Sequence, residues 1–176
     1  KKGNPRAKKY DFCFKPLLTC GECKGNVTAE GFADHYKAES FDFGVSRNLS
    51  MTTGSTSNRE SDNPTLSEVT LTKLADNSAT ELFKDSVGGG KGSQGKTVII
   101  KFVQTGAKGD EVFMEYTLKN AMVSNYNVSA HGSGEASETF TLNFTEILIS
   151  FNDYDSGNSQ ASPQRVGYNV EKTTVL

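Results

Sequence analysis

Between Ser137 and Phe151 the chain reads SETFTLNFTEILISF, with Phe140, Leu142 and Phe144 on even positions and Ile147, Ile149 and Phe151 on odd ones. Side chains alternate across a strand, so each half of this run is a strand with one apolar face. The change of parity requires a β-bulge near Thr145 and Glu146, because otherwise half of the apolar set would face water. A strand that bends while keeping its apolar side inward wraps around a core, which points to a curved β architecture.

The same alternation recurs along the chain. Tyr10–Leu18 is a candidate first strand. In Asp34–Val45, Phe41, Phe43 and Val45 share one side, with Ser40 and Asp42 on the other. Leu66–Leu74, Thr97–Thr105, Glu111–Ser124 and Val166–Lys172 follow, and Glu115, Thr117 and Lys119 form an outer face. One helix is expected within Asp76–Val87, capped by Asn77 or Ser78, with Leu82, Phe83 and Val87 on one side. A chain of 176 residues with 35% hydrophobic content supports one domain with a real core. Seven strands of this size favour a compact antiparallel β-barrel of two packed sheets over an open sheet with exposed edges. The expected class is therefore mainly β with one short helix. Residues 10–176 form the domain, and 1–9 a disordered or extended basic segment. Two stretches read as loops: Arg47–Pro64, dense in Ser, Thr, Asn and Gly, and Ser129–Ala136. The first is the main surface candidate, since long loops in compact domains tend to make contacts.

The composition and motifs argue against catalysis. GKGSQGKT, Gly90–Thr97, fits the phosphate-loop pattern letter for letter. Its flanks are reversed, however, with a helix before and a strand after, so no helix N-terminus faces the loop. It reads as a helix-to-strand connection in which Lys91 and Lys96 are solvated charges. Cys20-Gly-Glu-Cys23 is half of a zinc or redox motif, and only Cys13, His35 and His131 could complete it. It reads as a turn between strands, with no metal. His35 and His131 sit in a strand alternation and a Gly-rich loop, without the neighbours that nucleophilic catalysis needs. NDYDSGN, Asn152–Asn158, lacks the glycine and glutamate spacing of a calcium loop, and the sequons at Asn26, Asn48, Asn127 and Asn143 read as chance matches. A net charge of −2 gives no basic surplus for nucleic acid, although Lys1, Lys2, Arg6, Lys8 and Lys9 gather at the start. No apolar run approaches the ~20 residues of a membrane helix, and no secretory apolar core is visible.

Five pieces in order carry a resemblance. They are ESFDFGVS (Glu39–Ser46), LSEVTLTKLADNSATELFKDSVGGGK (Leu66–Lys91), VFMEYTLKNAMVSNY, ETFTLNFTEILISF and RVGYNV (Arg165–Val170). Together they resemble the haemolysin-coregulated proteins, which build the inner tube of type VI secretion systems. The resemblance implies a structural, non-enzymatic protein without cofactor. It implies hexameric rings stacked into a hollow tube, effector cargo in the lumen, a valine-glycine-repeat spike on top and a contractile sheath outside. It also implies a bacterial cytoplasmic protein that leaves through the apparatus without a cleaved signal peptide. On this basis Arg47–Pro64 is expected to meet the next ring through Arg47, Ser50, Ser57, Arg59 and Glu60. Ser40 and Asp42 are expected to face the lumen and its cargo, and Glu115, Thr117 and Lys119 to lie at the ring interface. Asp42 stands where the family commonly has a small neutral residue. The alternative readings are a phage-tail-tube-like structural protein and a ligand-binding β-barrel.

Overall fold

The computed structural model describes residues 10–17, 32, 35–51, 59–88, 95–106, 109–132, 134–152 and 163–176. Within these, strands β1 (Tyr10–Leu17), β2 (Tyr36–Ala38) and β3 (Ser40–Asp42) lead into two short pairs. β4 (Val45–Ser46) pairs with β7 (Thr65–Leu66), and β5 (Leu49–Met51) pairs with β6 (Arg59–Ser61). β8 (Val69–Leu74), helix α1 (Ala79–Val87), β9 (Lys96–Gly106) and the long β10 (Gly109–Ser129) come next. β11 (Ser137–Asn143), β12 (Glu146–Phe151), β13 (Gln164–Asn169) and β14 (Thr174–Val175) complete the chain.

All ladders are antiparallel, and β10 is their hub. Its first half lies between β9 and β12, and its second half takes β11. From β10 one path runs through β9 to β1 and β2, and the other through β11 to β8 and β3. β2 and β3 are consecutive in the chain, and the Glu39 amide between them donates to the Thr72 carbonyl at 2.7 Å. The two paths therefore meet, and the sheet closes on itself with β12, β13 and β14 as a side wing. This is the expected mainly β barrel with one helix. Closure removes most of the edges that an open sheet of this size would expose.

Three expected runs are broken, each for a local reason. Asp34–Val45 becomes three strands because it changes neighbour twice, from β1 to β8 to β7. Val45 leaves the alternation and stands 59% exposed, since Gly44 intervenes with its amide bonded to Ser67 Oγ at 2.8 Å. Leu66–Leu74 is interrupted at Ser67 and Glu68. The parity change after Phe144 is a strand break in place of the expected bulge. β11 and β12 pair with β10 on either side of it, through Met122↔Asn143 and Lys119↔Glu146. β10 turns at the same level, where Asn120 adopts φ 53°, so buried Leu118 is followed by buried Ala121 three positions on. Two neighbouring strands thus change parity together, which makes a corner of the barrel wall.

That corner explains the GKGSQGKT stretch. A Cβ at Gly95 would fall 2.4 Å from the Asn120 carbonyl carbon, and the Gly95 amide donates to Asn120 Oδ1 at 3.0 Å. The glycine is required by a backbone crossing, with a helix before it and a strand after. Lys96 is not the free solvated charge that its sequence suggests, because its Nζ lies 2.5 Å from Asp85 Oδ1 of α1. The pair is partly exposed, so Lys96→Ala should lower stability by only ~0–1 kcal/mol. Urea unfolding checks this, and no ATP affinity should be present to lose.

The helix also differs from expectation. It begins at Ala79, and Ser78 holds the N-cap position without using its side chain as a cap. Asp76 braces the turn before the helix, its Oδ1 accepting the Ser78 amide at 2.8 Å as in an Asx turn. Leu82 is buried, but Phe83 and Val87 are 56% and 66% exposed. A nine-residue helix laid on one strand buries a narrow stripe, and positions 82 and 83 lie about 100° apart. The core itself is filled by side chains, with Val69, Leu71, Ile100, Leu118 and Phe140 fully buried.

Candidate functional site: a polar sheet face and a projecting hairpin

β3, β8, β11 and the second half of β10 form one curved surface whose two faces differ sharply. Inward point Phe41, Val69, Leu71, Phe140 and Leu142, all part of the core. On the opposite parity the register aligns two polar rows across the strands. Ser40 is opposite Thr72, Thr72 opposite Thr139 and Thr139 opposite Asn127. Asp42, Thr70, Thr141 and Asn125 form the second row. Hydroxyls meet across the strands: Thr72 and Thr139 of the first row are 3.2 Å apart at their oxygens, and Ser124 and Thr141 2.7 Å. At the end of the surface Glu68 accepts from Ser124 Oγ at 2.8 Å and Asn143 Nδ2 at 3.0 Å. These bonds, with the Ser124 hydroxyl first, hold the Glu68 carboxyl below its ordinary pKa. Ser40 and Asp42 are exposed, as their alternation with Phe41 requires.

Arg47–Pro64, expected to be a structureless loop, is in its described part a two-stranded hairpin. Ser50 faces Glu60 and Met51 faces Arg59 across it. β-branched and aromatic residues are scarce in this stretch, so the propensity that marks a strand is missing. Arg47 is exposed at its base. The side chains of Ser50, Arg59 and Glu60, and all of Ser57, lie outside what the structure describes, as do Lys1–Lys9, Cys20, Cys23 and most of NDYDSGN. Glu115, Thr117 and Lys119 stand together on the first half of β10, far along the strand from the polar rows. Glu115 and Thr117 are half-buried and line a depression of about 280 Å³ with Leu148, Ser150 and Arg165. Lys119 is exposed and pairs with Glu146 at 3.1 Å.

A family model described as type VI secretion system effector, Hcp, matches residues 17–151. The chain belongs to the Hcp family. Solved structures share the fold at low identity. One described as a type six secretion system protein is 20% identical with a TM-score of 0.80, covering 96% of this chain and 100% of that one. Hcp1 from Salmonella typhimurium is 15% identical with a TM-score of 0.71, over 95% and 99% of the two chains. Hcp1 from the E. coli EAEC 042 pathovar is 16% identical with a TM-score of 0.65, over 93% and 99%. No curated protein sequence matches this chain.

Two features of this Hcp chain are not apparent from sequence reasoning. The first is an apolar groove of about 260 Å³ beside the hairpin base, lined by Phe43, Val45, Pro64, Leu66, Val166 and Val175. Its walls come from several separated segments, so no local pattern announces it. The second is a charged cluster inside the barrel end. Lys73 and Glu138 are 0% and 1% exposed. Lys73 Nζ stands 2.7 Å from Asp76 Oδ1 and 2.7 Å from Glu138 Oε2, and donates to the Leu74 carbonyl at 2.9 Å. Tyr126 donates its hydroxyl to Glu138 Oε1 at 2.7 Å. Burial first, and the adjacent Glu138 second, push the Tyr126 phenol up to about 12. Burial alone would raise the Asp76 carboxyl, but the bonds from Lys73 and Ser78 outweigh it and hold Asp76 below its ordinary value. The signal was present in the pattern, because Lys73 continues the inward series Val69, Leu71 and Glu138 the series Phe140, Leu142.

Proposed function

We propose that this chain is a non-catalytic subunit of the type VI inner tube, forming hexameric rings that stack and carry effector cargo in the lumen. The observation that carries this reading is the division of labour between the two sheet faces. Among the described residues the barrel interior is occupied by the chain's own fully buried side chains, Val69, Leu71, Ile100, Leu118 and Phe140. A carrier built this way must hold its load outside, and the polar face of β3, β8, β11 and β10 is the hydrated surface suited to lining a channel. The ligand-binding barrel loses its main support for the same reason. In the assembly the projecting β5–β6 hairpin contacts the next ring, and the surface around Glu115, Thr117 and Lys119 meets the adjacent subunit. Spike protein at the tip and sheath outside are the further partners.

Imaging the purified protein by negative stain, alongside light scattering, tests the reading. Hexameric rings are expected, and a monomer at all accessible concentrations and salts would overturn it. Asp42 supplies a prediction on cargo. Repeated around a ring, its carboxylate makes a circle of negative charge that favours basic cargo surfaces, screened over ~8 Å at physiological salt. Asp42→Ser should leave the assembly intact, since the side chain is exposed, and should change the set of co-purifying effectors. Unchanged effectors, or chemical labelling that places Asp42 on the outer wall of assembled tubes, would remove Asp42 from the lumen.

A further inference from the structure

The pairing of β8 with β11 has no turn to set its register. The two strands are joined by everything from Ala75 to Ala136, including α1, β9 and β10. Their apolar alternation fixes which face points inward, because a one-residue slip would turn Val69 and Leu71 to water. It does not exclude a slip of two. Val69 and Leu71 face Leu142 and Phe140 in the native register, and a two-residue slide in one direction still sets them against Phe144 and Leu142, while the other keeps Val69 against Phe140.

Lys73 and Glu138 break this degeneracy. They are direct cross-strand partners, both on the inward face and both fully buried. After a slip of two, Lys73 would lie opposite Phe140 or Ala136, with Glu138 only a diagonal neighbour. Diagonal neighbours in a sheet are ~7–8 Å apart, so the directly opposed 2.7 Å pair would give way to a stretched reach past an apolar side chain, a poorer arrangement for two buried charges. In the native alignment Lys73 stands 2.7 Å from Glu138 Oε2 while Tyr126 donates to its Oε1. Other bonds extend the effect beyond these two strands. The same Lys73 amine binds Asp76, which organises the start of α1 through the Ser78 amide and hydroxyl. The same Glu138 accepts from Tyr126 on β10. Other charged groups of α1 are engaged elsewhere, Glu81 with Lys84 and Asp85 with Lys96.

We infer that Lys73 and Glu138 are positioning residues that select the β8–β11 register and thereby align the polar rows carrying Ser40, Thr72, Thr139 and Asn127. The alignment matters for function because those rows exist only if β8 is in step with both neighbours. The inference rests on the coordinates whether or not the face lines a lumen, so its failure and that of the tube reading are separable.

Disulfide trapping reads register directly. Thr72→Cys with Thr139→Cys reports the native pairing, where the two side-chain oxygens are 3.2 Å apart. Thr72→Cys with Thr141→Cys or Ser137→Cys reports slips of two in either direction, which native geometry places too far apart to bond. Peptide mapping by mass spectrometry separates these products from any formed by the natural cysteines. In the parent only the native pair should form. In Lys73→Met/Glu138→Gln, which removes the charged cross-strand pair and leaves only the Asp76 carboxylate of the cluster, slipped products should rise at least about tenfold. Native pairing alone in a folded double variant would overturn the inference. Should that variant lack a β-sheet circular dichroism spectrum, Glu138→Gln alone decides, since it keeps Lys73 against Asp76. Slipped product above the parent level supports the role, and none refutes it.

Discussion

Lys73→Met should destabilise the fold by about 3–5 kcal/mol at neutral pH, the largest loss expected from any single substitution in the described part of this chain. The methionine fits the space of the lysine stem, so the cost is electrostatic. Glu138, 1% exposed, and Asp76 would face each other without the cation that stands 2.7 Å from each. Adding Asp76→Asn and Glu138→Gln should recover most of the loss, because the damage comes from stranded charge and only in small part from lost packing. The pH dependence supplies an independent sign. In the parent Asp76 has a lowered pKa in the folded state, so its contribution is complete above its unfolded value of 3.8 and is lost as pH falls below that. In Lys73→Met, Asp76 loses the bond that holds its carboxyl low and faces a second carboxylate, so its pKa rises and mild acid should narrow the gap to the parent. Urea unfolding between pH 4 and 7 checks both statements. A loss under ~1 kcal/mol, or a gap that widens in acid, would show that the cluster is not the buried charge centre described.

Shortening the β5–β6 hairpin should have the largest effect on assembly. Residues 52–58 can be replaced by Asn-Gly, which closes a two-residue turn directly on the Met51↔Arg59 pair and keeps the stem. If the hairpin tip contacts the next ring, each ring-to-ring joint loses its contact in every subunit at once. Six copies of even ~0.5 kcal/mol sum to ~3 kcal/mol, more than a hundredfold in stacking equilibrium. Rings of unchanged mass by light scattering and an absence of tubes in negative stain are expected. Tubes of normal length would place the stacking contact elsewhere, and loss of the rings would place the hairpin within the ring.

These two sites differ in how far the sequence disclosed them. Period-two alternation revealed β8, β9, β10 and β11, because one face of each is packed and the other hydrated. It also placed Ser40 and Asp42 outward beside Phe41. It failed where the chain changes partners, at Glu39, Gly44 and Thr145, since alternation is local and the identity of the neighbouring strand is not. The helix start was legible, since Ser78 holds the N-cap position, but the Asp76 carboxylate that accepts the Ser78 amide lies in a turn that propensity does not see. Lys73 continues the inward parity of Val69 and Leu71, but a lysine is rarely buried without a partner, so alternation alone does not mark it as core. Its partner Glu138 lies in a strand that only the closed barrel brings alongside.

The way the barrel closes has a kinetic side. Its seams join Phe12 to Phe102 and Leu71 to Phe140, residues far apart along the chain, with β10 shared by both paths. Such non-local pairings must meet their loop-closure entropy before any contact rewards it, which places β topologies of this kind in the millisecond-to-second range of folding. The β9–β10 hairpin, paired from Gly106 and Gly109, is local, whereas the β1–β9 and β8–β11 seams are not and set the slow step. A subunit that loses its shape therefore regains it slowly, and the species that joins or leaves an assembly on a shorter timescale is the folded barrel.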